Sequence, residues 1–470
     1  MFWMRWSLVS WIVVASVAAA ADTPAISRIA FGSCAAQEKP QPIWDAVIAA
    51  RPDVFLFLGD NIYADTENTE ILKQKYAQFG SQPGFQKLIK TCPIMAVWDD
   101  HDYGTDDSGA DFRNKIASQK LFLDFFNEPA GSPRRQREGV YVATVFGPPG
   151  QRVQIILLDT RYFRSPLKKK DKAYAPNTDA GATFLGEAQW KWLEEQLKQP
   201  AELRLIGSSI QVAADEHPFE KWSNIPAERE RLFKLLKATK ANGVVFLSGD
   251  RHLAELSQTD GGLGYPVFDL TSSGLNMGNK KWRPTETNKH RVATMTSGDN
   301  FGMVIVDWAA TPPTVRLQIR DVNGEVTIQQ KLDLPLLSPG DHKVASAGST
   351  PSSPAPSSPA GIKTPGAISV AEAVKRVGDT VTVEFHVKNT GKTGSNSRVF
   401  LNSTAERGDK ENFTVVLVMK DVGDGLKAAG VSEPANYYKN KTVRVTGTVS
   451  LYQEKPQIVV EDATKIGIVE

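Results

Sequence analysis

The chain has 470 residues, 23% of them charged, with 55 Lys+Arg against 53 Asp+Glu and a formal net charge of +2. That length exceeds what one hydrophobic core supports and predicts two or three domains. The near-balanced charge gives no electrostatic case for nucleic acid or an anionic membrane surface as partner.

Met1 to Ala21 joins a single basic residue, Arg5, to the apolar stretch Trp11-Ile12-Val13-Val14 and the small residues Ala18-Ala19-Ala20-Ala21. It reads as a cleavable secretory signal, residues 1–21, because its apolar part is short of the ~20 residues a membrane span needs. The expectation is a secreted or periplasmic protein with no membrane span after cleavage.

From Ile26 onward strand and helix patterns alternate, which predicts an α/β domain. Ile29-Ala30-Phe31 reads as a strand and Ile43 to Ile48 as a helix that stops before Arg51-Pro52. Val54-Phe55-Leu56-Phe57-Leu58 is apolar at every position, the mark of a strand covered on both faces in a parallel sheet. Ligands bind at the carboxyl ends of such strands, and here the run passes directly into Gly59-Asp60-Asn61-Ile62-Tyr63. Asp60 and Tyr63 are hard oxygen donors, and a phenolate favours a strongly Lewis-acidic ion such as Fe³⁺.

Further strands are expected at Ile94 to Trp98, Ile155 to Leu158, Leu203 to Ile206 and Val244 to Leu247. Between them, Glu187 to Leu197 and Arg229 to Leu236 have helical spacing, the first with Trp190, Leu193 and Leu197 on one face. Met303 to Val306, Val315 to Ile319 and Val326 to Ile328 read as closing antiparallel strands, with Asn323-Gly324 as a hairpin turn. The two cysteines, Cys34 and Cys92, fall after one parallel strand and before another. They belong to opposite edges of the sheet, too far apart for the ~7 Å Cα limit of a disulfide.

Residues 338–366, rich in Pro, Ser, Ala and Gly, read as a linker that separates a first domain, 25–336, from a second, 367–470. The second carries alternating runs at Thr380 to Val387, Phe413 to Val418, Thr442 to Val449 and Gln457 to Val460. These predict a small all-β barrel resembling an OB-fold, with a turn at Phe400-Leu401 and an excursion from Val431 to Tyr438. An oligonucleotide-binding groove is not evident there beyond Tyr437, Tyr438 and Tyr452.

The strand ends repeat one theme: Gly32-Ser33-Cys34, Asp60, Asp99-Asp100-His101-Asp102, Asp159-Thr160-Arg161, Gly207-Ser208-Ser209 and Gly249-Asp250-Arg251-His252. Any one of these reads as a turn or cap. On parallel strands they converge on one edge.

Phe31-Gly32-Ser33-Cys34, Gly59 to Tyr63, Trp98 to Asp102 and Ser248 to His252 resemble the calcineurin-like metallophosphatases and, within them, the PhoD-type alkaline phosphatase/phosphodiesterase family. The resemblance runs from Ile29 to Leu336. It implies a metallophosphatase β-sandwich flanked by helices, whose polynuclear metal site activates water for in-line attack on phosphorus. By position it implies that Asp60 bridges two ions, with Cys34, Tyr63 and His252 completing an Fe³⁺ site. Asp100 stands where relatives have Asn and Asp250 where they have His. These carboxylates move the second ion toward Ca²⁺, Mn²⁺ or Mg²⁺.

His101 corresponds to the histidine that touches the phosphoryl group or protonates the leaving alkoxide, and Asp102 follows where it could orient it. Arg161 and Arg251 are candidates to hold phosphate oxygens. Asp99 and Asp159 read as caps or supporting groups, and His217, before Pro218, could line the site. The implied substrates are small organic phosphate monoesters or diesters. Two rivals stand beside this reading: a non-catalytic binding protein that presents ligands through the barrel, and a hydrolase of another ester class. The Arg-rich export signal of the family is absent, and the oligomeric state is not legible.

Overall fold

A computed structural model describes residues 23–279, 286–295, 298–339, 367–393, 397–406, 409, 411–428, 431, 433–452, 455–460 and 462–469. The expected signal segment, nearly all of the linker and His342 lie outside the described residues. In the first domain the strands are β1 (Arg28–Gly32), β2 (Val54–Leu58), β3 (Ile94–Val97), β4 (Val142–Phe146), β5 (Val153–Leu157), β6 (Lys168–Lys170), β7 (Ala173–Ala175) and β8 (Leu203–Gly207). They continue as β9 (Val244–Ser248), β10 (Ala254–Thr259), β11 (Val267–Ser272), β12 (Arg291–Met295), β13 (Asn300–Asp307), β14 (Thr314–Asp321) and β15 (Val326–Asp333).

Two sheets share one core. The first has the spatial order β15-β14-β13-β1-β2-β3, the second β12-β10-β11-β9-β8-β5-β4, and β6 with β7 forms a separate hairpin. Strands β1, β2 and β3 run parallel, as do β5, β8, β9 and β11. β2 is apolar throughout because both faces are covered, and although β5 and β8 admit Gln154 and Arg204, every residue of β2, β5, β8 and β9 is buried. β13 adds antiparallel to β1, and β14 and β15 continue outward, as the Asn323-Gly324 signal predicts.

Helices cover the sheets through their apolar faces. Ile43–Ala49 buries Ile43, Trp44, Ala46 and Val47, and Trp44 meets Phe55 of β2 edge-on at 5.6 Å between ring centres. Gly186–Leu197 buries Trp190, Leu193 and Leu197, and Pro226–Ala238 opens on the proline its missing N–H suits. Cys34 and Cys92 are both buried free thiols.

The second domain contains β16 (Thr380–His386), β17 (Asn389–Lys392), β18 (Arg398–Asn402), β19 (Thr414–Val418), β20 (Thr442–Tyr452), β21 (Lys455–Val460) and β22 (Ile466–Ile468). Their order is β16-β20-β21-β19-β18-β17, with β22 on β20. The eleven-residue β20 pairs with β16 along its first part and with β21 along its last. Phe400-Leu401 is not a turn: both residues lie inside β18, where Leu401 is buried and pairs with Val415. Helices Met419–Ala428 and Pro434–Tyr438 add to the strands, and the second forms part of the Val431 to Tyr438 excursion. Among the described residues no helix is long and apolar enough to cross a membrane.

Candidate metal centre

The carboxyl ends of β1, β2 and β3 in one sheet meet those of β8, β9 and β11 in the other. Cys34 and Asp60 follow β1 and β2, Asp99 and Asp100 follow β3, and Asp250 and His252 follow β9. Gly59 makes the approach possible. Its φ is +107°, and a Cβ there would stand 2.5 Å from Asp99 Cβ and 2.7 Å from Asp99 N, so no other residue fits without displacing β3. Cys34, Asp60, Asp250 and His252 themselves sit in the left-handed region, at φ of 63°, 49°, 68° and 52°. Non-glycine residues hold that conformation at a cost, and such strain concentrates at functional sites.

One group of donors surrounds the first face of Asp60. Cys34 Sγ lies 3.3 Å from Asp60 Oδ2 and 3.1 Å from Ser273 Oγ, and the Tyr63 hydroxyl is 3.5 Å from Asp60 Oδ2 and 2.8 Å from His252 Nε2. Ligand atoms of Cys34, Asp60 and His252 all fall within 4.8 Å of one another. A second group, Asp60, Asp99, Asp100 and Asp250, meets the same criterion, as do Asp60, Asp100 and His101. Tyr63, His101, Asp250 and His252 are only half-buried and form the open side, whereas Cys34, Asp60, Asp99 and Asp100 form the floor.

The electrostatics of the bare donor set are unfavourable. Asp60 Oδ1, Asp99 Oδ2 and Asp100 Oδ1 are buried without a hydrogen-bond partner. Burial, and then the neighbouring Cys34 sulfur, push the Asp60 carboxyl well above its ordinary range, and burial followed by the Asp99 charge does the same to Asp250. Asp99 rises to about 6 through burial, opposed by Arg161. Burial also raises the Cys34 thiol to about 11 and lifts the Tyr63 phenol well above its usual value. Orphaned oxygens of this kind cost stability, and a cation removes the cost while deprotonating thiol and phenol. The residues therefore fit two bound ions: sulfur, phenol oxygen and imidazole on one side of Asp60, carboxylates alone on the other.

His101 stacks on Tyr63 with ring centres 4.4 Å apart, and its Nδ1 lies 2.6 Å from Asp65 Oδ1. Burial opposes its charge, but Asp60, Asp65 and Asp100 outweigh burial and raise it to about 11. Asp102 does not orient it. That carboxylate is fully buried and accepts hydrogen bonds from Asp99 N at 2.7 Å and Asn61 Nδ2 at 2.5 Å, so it ties the β3 turn to the β2 turn. Its place in the short helix Asp100–Tyr103 turns it inward while His101 faces Tyr63.

The expectation for Arg161 also changes. Arg161 has no exposed surface; Nε lies 2.5 Å from Asp99 Oδ1, and Nη2 is 2.5 Å from Glu220 Oε2 and 3.5 Å from Asp100 Oδ1. It stands behind the carboxylates and holds them, where no phosphate oxygen reaches it. Arg251 pairs with Glu286 at 2.6 Å and lies 4.2 Å over the Phe219 ring. Asp159 is a cap, accepting from Trp98 Nε1 and from the backbone of Val140, Arg161 and Tyr162.

Asp65, Glu220 and Ser273 escaped the sequence reading, and Asp99 proved to be both cap and member of the carboxylate group. Asp99 alone carried a signal, its place at a strand end. The other three act through contacts with residues distant in the chain.

Two sheets whose parallel strands deliver carboxylates, a thiol, a phenol and imidazoles to one shared edge define an α/β domain with donor groups able to hold metal. Residues 29–307 match the family model of the PhoD-like phosphatases. The chain belongs to that family. Alkaline phosphatase D of Bacillus subtilis (strain 168) is 23% identical over 267 residues, 47% of this chain, and the match spans 44% of that relative's length, less than half. The solved structure of PhoD is 18% identical, with 67% of this chain and 71% of that one covered at a TM-score of 0.53, which establishes the fold. A dimetal phosphatase from Danio rerio is 14% identical and covers 66% of this chain and 99% of its own at a TM-score of 0.41.

Proposed function

We propose that the chain is an exported, metal-dependent phosphoric ester hydrolase of the alkaline phosphatase and phosphodiesterase kind, acting on small organic phosphate esters. The observation that carries this reading is the set of buried oxygens on Asp60, Asp99 and Asp100 that lack a hydrogen-bond partner and face a thiol, a phenol and an imidazole. Cys34, Asp60, Tyr63 and His252 would hold Fe³⁺. Asp60, Asp100 and Asp250, with Asp99 beside them, would hold Ca²⁺, Mn²⁺ or Mg²⁺. Bound there, the ions supply positive charge for phosphoryl oxygens and a lowered pKa for water.

The chain's own residues then have defined tasks. Asp60 joins the two donor groups and fixes their separation. His101, held at Nδ1 by Asp65 and half-exposed beside Tyr63, presents Nε2 as a proton donor for the departing alkoxide. Arg161, clamped between Asp99 and Glu220, keeps the carboxylates from reorganising as charge moves. The second domain is assigned as an OB-like accessory module, with Tyr437 and Tyr452 its exposed aromatics at 38% and 47%. Residues 1–21 are assigned as the export signal.

Metal analysis combined with hydrolysis of a chromogenic phosphate monoester and diester, before and after chelation, tests the reading. Bound metal and chelator-sensitive release are expected. A protein that binds no metal and hydrolyses neither ester after reconstitution with Fe³⁺ and Ca²⁺ is not this enzyme, and the binding-protein reading takes its place. The iron-loaded protein should also show a visible tyrosinate band that Tyr63→Phe removes.

A further inference from the structure

Beyond the donor groups, His217, Lys221 and Arg251 are buried near one another, at 2%, 5% and 6% exposure. Phe219 links them: the Arg251 guanidinium lies 4.2 Å over its ring, the His217 ring centre is 6.2 Å away, and Lys221 Nζ donates to its carbonyl at 2.9 Å. Among the described residues neither nitrogen of His217 has a hydrogen-bond partner, and Arg251 Nε has none.

The acids in reach are committed elsewhere. Asp215 holds Lys289 at 2.9 Å and His290 at 3.4 Å, Glu220 lies 2.5 Å from Arg161 and 3.5 Å from Arg164, and Glu255 holds Arg291 at 2.6 Å. Glu286 is the one carboxylate on Arg251 among the described residues. Lys221 is thus a buried amine without a carboxylate of its own among the described residues, and burial followed by the Arg251 charge lowers it to about 8. Burial and the charges of Arg251, Lys221 and Arg291 hold His217 down to about 2, so its ring is neutral, with one donor and one acceptor to offer. An unsatisfied group of this kind, enriched in cations, suits an anion.

Its place is informative. Arg251 lies between Asp250 and His252, so the group adjoins the metal edge. The β6–β7 hairpin, with exposed Lys168, Lys169, Lys170 and Lys172, docks on the same segment through Tyr174 N to Pro218 O at 2.8 Å. Such a rim draws polyanions toward the edge.

We infer that His217, Lys221 and Arg251 form an anion subsite beside the metal edge that takes a second phosphate group of the same substrate. The inference rests on the phosphoesterase reading and names its substrate class: esters bearing more than one phosphate.

The test measures phosphate release from fructose 1,6-bisphosphate and fructose 6-phosphate by the metal-loaded full chain and its Lys221→Gln and Lys221→Arg variants. The wild type should favour the bisphosphate by about tenfold or more in kcat/KM, with Lys221→Gln losing that preference and Lys221→Arg retaining most of it. An equal preference in wild type and Lys221→Gln overturns the subsite. Should Lys221→Gln not fold, His217→Asn carries the same comparison. If the wild type hydrolyses neither sugar phosphate, calorimetric titration with the bisphosphate reads the subsite separately from catalysis. Binding weakened about tenfold in Lys221→Gln supports it, and equal binding overturns it.

Discussion

The metal edge of the first domain and the interior of the second treat buried polar groups in opposite ways. In the second domain Asn402, Asn412 and Thr414 are buried together and satisfy one another: Asn412 Nδ2 donates to Asn402 Oδ1 at 3.0 Å, and the Thr414 hydroxyl donates to the same oxygen at 2.9 Å. Among its described residues no buried side-chain oxygen or nitrogen lacks a hydrogen-bond partner, whereas the first domain leaves such atoms on Asp60, Asp99 and His217. A satisfied network rigidifies a fold; an unsatisfied one awaits a ligand. The contrast locates the chemistry in the first domain.

The largest effect that would break this contrast is at Asp60. Asp60→Asn should lower kcat/KM by about 1000-fold or more, or roughly 4 kcal/mol. The metal-free variant should at the same time melt about 2–4 °C above metal-free wild type, because one buried charge has been removed from a repelling set. A fall in both would mean that the carboxylates are held by the fold alone.

A smaller effect is expected at the histidine. Asp65→Asn should cost about 10–100-fold in kcat and shift the acid–base profile, as loss of an orienting partner does. Asp102→Asn should act chiefly on unfolding, since its contacts tie two turns together. The reverse pattern in kinetics and denaturant melts would restore Asp102 as the orienting group.

Next comes an acid dependence. The folded value of His217, about 2, lies far below its ordinary 6.5, so the native state resists a proton that the unfolded chain accepts. Stability is therefore retained above pH 6.5 and lost as pH falls below it, by up to about 1.4 kcal/mol per unit from this group. Urea midpoints at neutral and mildly acid pH should fall less steeply for His217→Asn.

The smallest effect belongs to the satisfied network. Asn412→Ala removes one of the two donors to Asn402 Oδ1 and the acceptor of Thr404 N, and should destabilise the second domain by about 1–2 kcal/mol in urea melts while leaving ester hydrolysis unchanged.

Much of the first domain was legible because the runs Val54 to Leu58, Ile94 to Trp98, Ile155 to Leu158 and Val244 to Leu247 are apolar at every position and each leads into polar residues. Asp60, Asp100 and Asp250 could be placed together on that ground, and so could Cys34 and His252. What stayed hidden was hidden for physical reasons. β4 is only half-buried and has no clean alternation, so periodicity could not mark it. Asp65, Glu220 and the inward turn of Asp102 depend on packing between distant segments, which no local pattern encodes. Arg161 was misread because an arginine after a strand looks the same in sequence whether it faces a ligand or a wall of carboxylates. In the second domain, an apolar pair inside a short strand, Phe400-Leu401, was mistaken for a turn.

The donors come from both sheets: Cys34, Asp60, Tyr63 and Asp100 from the first, Asp250 and His252 from the second. Neither half alone offers a complete coordination set. Capture of an ion of the kind proposed would therefore wait until the two sheets had met, and would report a finished assembly. Removal of that ion should loosen the seam first, so amide exchange near Ser273 and Asp99 would quicken before the helices respond.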